Sequence, residues 1–163
     1  MSAQLKPYIA DSTKSVDSRY LAIDIAHNCQ VQNVQFELAD VVLDSYQPYV
    51  LRVRAAYALV CIGDEQVKAQ LKPLALAVRN PYDPEDELKG YALQAVYPNH
   101  LKTQEVLDSL TQPQANHIGG SYQDFVAKEF AKRIPEHDLP IALKWLNTKI
   151  AEQRRDLELL YPF

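Results

Sequence analysis

Glycine is scarce in this chain, with four in 163 residues. All-β folds need many tight turns, so the shortage argues against a sandwich or a barrel. Cysteine is nearly as rare. Cys29 and Cys61 form no metal-type spacing and sit in apolar segments, which predicts buried free thiols, a disulfide between them being the alternative. An excess of positive charge is missing too: 17 basic against 21 acidic residues leave a net charge of −4. The chain therefore offers no general attraction to phosphate backbones or anionic lipid, and nucleic acid is a poor default partner. No uninterrupted apolar run approaches the length of a membrane span. The start, MSAQLKPYIADSTKS, carries neither an export nor a transit pattern. A cytoplasmic protein without a membrane partner is the expectation.

What remains is an ordinary folding composition, 47% apolar and 23% charged, at single-domain length. The ten prolines fall mainly between apolar helical patterns.

Those patterns repeat. Arg19-Tyr-Leu-Ala-Ile-Asp-Ile-Ala26, Ala56-Tyr-Ala-Leu-Val-Cys-Ile-Gly63 and Gly90-Tyr-Ala-Leu-Gln-Ala-Val-Tyr97 align without gaps, each with tyrosine second. Tyr20, Tyr57 and Tyr91 stand 37 and 34 residues apart, and a further 34 reach Phe125. Periods of this size mark helical-repeat architectures, in which a unit cannot bury its apolar face alone and stacks on its neighbours. The phases agree. Leu88, Tyr91, Ala92, Ala95 and Val96 share one helical stripe, as do Val67, Leu71, Leu74, Ala75 and Val78, and again Val31, Val34, Leu38, Val41 and Val42.

The reading is an all-α fold, a HEAT-like α-α superhelix of about four helix pairs in one domain, 1–163. The units fall at 16–44, 49–78, 85–111 and 121–147, with a capping helix at 148–160. Asp83 caps the third unit's first helix, Pro84 presets its first turn, and Glu85 and Asp86 face its positive dipole end. Pro73 predicts a kink or break near Lys72. The helix at 49–62, apolar almost all round, is the expected core of the module.

Chemistry is hard to find. There is no G-x-x-x-x-G-K-[ST] phosphate loop, and Gly119-Gly120 reads as a loosened connection after Gln112. His27, His100, His117 and His137 lack zinc spacing; His27, His100 and His137 fall at predicted helix ends, where they cap carbonyls or face solvent. No catalytic residue, cofactor site or metal site is assigned. Arg52 and Arg54 stand out in the most apolar helix: inter-repeat hydrogen bonding is the plain account, a basic spot for an acidic ligand the functional one. With His117, in a connection that could bind, they are the partner-binding candidates. Tyr20, Tyr57, Tyr91 and Phe125 are the structural repeat positions, and Tyr20, Tyr57, Tyr91 and Tyr122 are expected to pack on apolar stripes.

The stretches Asp86-Glu-Leu-Lys-Gly-Tyr-Ala-Leu-Gln-Ala-Val-Tyr-Pro98, His100-Leu101, Leu107-Asp-Ser-Leu-Thr-Gln-Pro113 and Asp138-Leu-Pro-Ile-Ala-Leu-Lys-Trp-Leu146 resemble, in order and spacing, the HEAT-like helical-repeat region beside the ATPase in bacterial NACHT-type (STAND) signal-transduction ATPases, a group tied to defence and regulated assembly. The resemblance spans Asp86 to Leu146, under half the chain. It implies a non-enzymatic module that couples sensing of a protein partner or ligand to a neighbouring ATPase domain. The residues leave room for a free-standing HEAT-repeat adaptor, and, from another class, for a repeat-fold enzyme of the lyase or DNA glycosylase type, against which the acidic charge counts.

Overall fold

A computed structural model describes residues 2–112 and 119–160, with side-chain surroundings for 3–112 and 119–151. Every regular element among the described residues is helical. The fold class is all-α, as the composition required.

The first helix, α1 (Ser2–Ala10), lies before the first predicted unit. Only Leu5 and Ile9 are strongly buried on it, too thin a pattern to read without the tertiary partner that covers them. Next come α2 (Val16–Asn28), with Ser15 accepting from the Ser18 amide at its start, and α3 (Gln35–Leu43), entered through a short 3₁₀ turn. α4 (Tyr49–Ile62) follows and packs against α2, α3 and α7 (Glu87–Val96). That is why it is apolar on nearly every side: Leu51, Ala55, Ala56, Leu59 and Ile62 are all buried. Each fully buried leucine contributes about 1.5–3 kcal/mol.

The segment after α4 breaks where proline required it. α5 (Glu65–Ala69) ends, the chain turns, and α6 (Lys72–Ala75) restarts with Pro73 inside its first turn, where a missing amide costs nothing. α7 begins at Glu87, later than the expected 85, because Asp86 takes a left-handed conformation, φ 57°. Asp83 still caps the helix: its two carboxylate oxygens accept from the amides of Leu88 (3.1 Å) and Lys89 (2.8 Å). Then come α8 (Thr103–Ser109), α9 (Ser121–Asp124), a π-helical stretch Phe125–Glu129, α10 (Phe130–Arg133) and α11 (Leu139–Leu160). The expected boundary at 148 does not exist. α11 runs unbroken through it.

The pairing of helices also shifts by one relative to the expected units. α1 packs on α2, α3 on α4 and α6 on α7, whereas the expected units pair the helices within 16–44 and within 49–78. A parallel set of contacts links α2 to α4, α4 to α7 and α7 to α9. Buried cations tie α1 to α2 and α3 to α4. Arg19 on α2 donates from Nε and Nη2 to the Ile9 carbonyl at the end of α1, and Arg52 on α4 donates from Nε to Val42 at the end of α3, each reaching ten residues back. Lys89 on α7 instead donates to the Ser109 carbonyl at the end of α8.

Side-chain hydrogen bonds join residues 29 to 35 positions apart along the chain, as in Lys6–Glu37, Gln35–Asp64, Lys72–Glu105 and Thr103–Asp138. Several of these acids are exposed but well hydrogen-bonded. The Val67 amide, then Gln35, hold the Asp64 carboxyl below its ordinary range, while Asn99 lowers Glu65 and the Lys102 amide, then Lys72, lower Glu105. A carboxyl with a depressed folded pKa stabilises above its unfolded value, and that stability is lost as pH falls through the folded one. The urea midpoint should therefore hold steady from about pH 7 to 5 and drop below about pH 4. A midpoint unchanged down to pH 3 would contradict these bonds.

Both cysteines are free, and both are exposed rather than buried. Cys29 sits at the C-cap of α2 and Cys61 on the open side of α4's last turn. Apolar neighbours in sequence did not decide which way they face.

Candidate functional site

Arg52 and Arg54, two residues apart on α4, are about 200° apart around the helix and so meet different surroundings. Arg52 points inward. Its side chain is sealed in the interior, Nε donating to the Val42 carbonyl (3.0 Å) and Nη1 to the Tyr82 carbonyl (3.1 Å), which ties α3 and the segment before α7 to α4. Burial lowers its pKa, with Asp83 and Asp44 opposing. It is a structural cation, not a ligand-binding one.

Arg54 points to the other face, where the repeated tyrosines meet. Tyr20 comes from α2, Tyr57 from α4 and Tyr91 from α7, so helices that pack in succession each contribute one ring. The Tyr57 and Tyr91 rings lie 5.5 Å apart at 56°, and His27, in the last turn of α2, stacks on Tyr57 at 4.8 Å. The Arg54 guanidinium sits 5.2 Å from the Tyr57 centroid and 5.5 Å from that of Tyr20. It is also hydrogen-bonded and ion-paired to Asp24, one turn after Tyr20 on α2. Burial works against its charge, but the Asp24 bond and the two phenols outweigh it, so the pKa rises.

Tyr20, Tyr57, Tyr91 and Arg54 border an open cleft of about 410 Å³. Tyr49, Val50 and Val53 of α4 add to its lining, and Glu85 and Glu87 at the start of α7 complete it. Tyr49 donates its hydroxyl to Asp83 (2.9 Å), and Glu87 accepts from the Ser121 amide (3.1 Å). Two of the phenols are held protonated: burial, then the charge of Asp83, pushes Tyr49 far up, and burial, then Glu87, raises Tyr91. Neutral phenols of raised pKa are poor acids and bases near neutrality, but good stacking surfaces and hydrogen-bond donors.

Tyr20 and Tyr91 pack against the core as their apolar stripes predicted, and with Tyr57 they also present part of each ring to the cleft. All three are half-buried and line the cleft. Tyr122 packs too, buried with its hydroxyl on the Thr111 backbone (2.8 Å). Phe125 is buried as well, but it joins Tyr97 (6.2 Å) and Phe130 (5.7 Å) in a separate cluster, so the fourth repeat position does not extend the tyrosine row. The spacing of the rings was legible; that their stripe straddles the boundary between core and solvent was not.

His117 lies outside the described residues. His100 follows α7, its Nε2 3.0 Å from Glu65, and His137 stands exposed with Nε2 3.5 Å from Asp138. These two help line a second cavity of about 500 Å³, whose other charges include the Lys72–Glu105 pair. Among the described residues no three His, Cys, Asp or Glu side chains converge as a metal site would require, and no helix is long and apolar enough to cross a membrane.

Comparison of the chain with protein-family models, with curated proteins and with solved structures returns no match.

Proposed function

We propose that this chain is a non-catalytic, HEAT-like helical-repeat module that docks a segment of a protein partner in the tyrosine-lined cleft. One observation carries the reading: three of the four aromatic positions that recur along the sequence, Tyr20, Tyr57 and Tyr91, converge through three different helices on a single open cleft. The reach of the side-chain hydrogen bonds, close to the repeat interval, supports the repeat part of the proposal. The resemblance of Asp86–Leu146 supports a more specific setting, the sensor or linker arm of a NACHT-type ATPase. A free-standing adaptor would use the same cleft.

The cleft is tested by selecting binders to the full chain from a library of random nonapeptides and measuring the selected peptides against Tyr57→Ala. Loss of about tenfold or more in affinity is expected, in keeping with a tyrosine at the centre of an interface. Peptides that bind native and Tyr57→Ala protein equally would place docking elsewhere. The ATPase setting is tested separately: the genomic surroundings of the coding sequence should encode a phosphate-loop ATPase in the same reading frame or beside it.

A further inference from the structure

Resting on the cleft as the docking site, we propose that its Tyr49–Tyr91–Glu85 end receives an arginine or lysine side chain of the docked peptide. The cleft already shows what its tyrosine walls can hold, because Arg54 spans the faces of Tyr20 and Tyr57 at cation–π distance. Its charge is closed by Asp24.

Around Tyr49 and Tyr91 the ring chemistry is the same, but the charged lining residues beside them are acidic. Tyr49 and Tyr91 face the cleft with Glu85 and Glu87 beside them, and among the described residues no Lys or Arg lies over either ring. Glu87 is engaged by the Ser121 amide, whereas Glu85 is exposed and makes no hydrogen bond or ion pair among the described residues. An incoming cation thus finds aromatic faces and an uncommitted carboxylate. An acidic side chain would meet two carboxylates, and the guanidinium that could attract it is neutralised. The complementarity favours a basic peptide over the acidic ligand that Arg54 suggests when read alone.

The test uses the nonapeptides selected on the full chain, resynthesised and titrated against native protein, Tyr91→Leu, Glu85→Gln and Glu85→Lys, each checked for folding by circular dichroism and urea midpoint. The leucine keeps apolar volume at position 91, so lost binding there reports the ring. The selected sequences should be enriched in arginine and lysine and bind less tightly as salt rises. Affinity should fall about threefold with Glu85→Gln, the scale of an exposed ion pair. It should fall about tenfold with Glu85→Lys, which turns attraction into repulsion. Peptides that need Tyr91 yet lack basic residues, or bind Glu85→Lys undiminished, would overturn the cation while leaving the cleft standing. If no selected peptide is weakened by Tyr91→Leu, the inference falls, and the cleft reading falls with it only if Tyr57→Ala weakens none either.

Discussion

Gly90→Ala should lower the stability of this protein by about 2–3 kcal/mol, the upper range for overpacking a close contact. Helix propensity alone gives the opposite sign, because alanine in a helix interior is normally better than glycine by about 0.5–1 kcal/mol. Gly90 lies inside α7, where α7 crosses α9. A Cβ at this position would stand 2.1 Å from the Tyr122 amide nitrogen and 2.2 Å from Ser121 Oγ. The nearest obstacle is backbone, so no rotamer change relieves it; the two helices must separate. Separation also strains the Ser121 hydroxyl's bond to the Glu87 carbonyl (2.7 Å) and the buried seat of Tyr122. Urea unfolding of the two proteins decides the matter. A variant as stable as the native chain would mean that α7 and α9 do not approach as closely as described.

Arg52→Met should cost about 2–4 kcal/mol, and Arg52→Lys should recover only a small part of it. Methionine fills much of the same volume, so the loss is not a cavity effect. What disappears is the fork that satisfies two carbonyls, leaving that of Val42 on α3 in the interior without it and that of Tyr82, before α7, without its tie to α4. A lysine ammonium is a single point and cannot hold two acceptors set apart for a planar guanidinium. The same substitution at Arg54 should be milder, because that side chain is partly exposed and its partner Asp24 can turn to water. Equal losses at the two positions would contradict the contrast between them.

The helices themselves were legible wherever the signal was local. Apolar stripes placed α3, α4 and α7, Pro73 broke the segment between Val67 and Ala75, and Asp83 marked the start of α7. These features act within one or two turns, so the sequence contains both partners of each interaction. α1 escaped because two buried side chains make too short a pattern, and the junction at 148 was drawn where α11 has no break. The cysteines were misplaced for a related reason. Their neighbours are apolar, but the angle around the helix, measured against a packing partner, decides exposure.

For the cleft, the chain alone determined which residues recur and at what interval: Tyr20, Tyr57 and Tyr91, with Arg54 three residues before the second ring. It also determined that the fold is all-helical, because scarce glycine and 3.6-residue periodicity leave little else. Only the tertiary structure decided that those rings come together on an open face instead of disappearing into the core, that Arg52 and Arg54 serve opposite sides of one helix, and that Gly90 must lack a side chain. Those outcomes depend on distances between helices a repeat apart. Periodicity orients a side chain relative to its own helix axis, but only the neighbouring helix determines whether that direction leads to protein or to water.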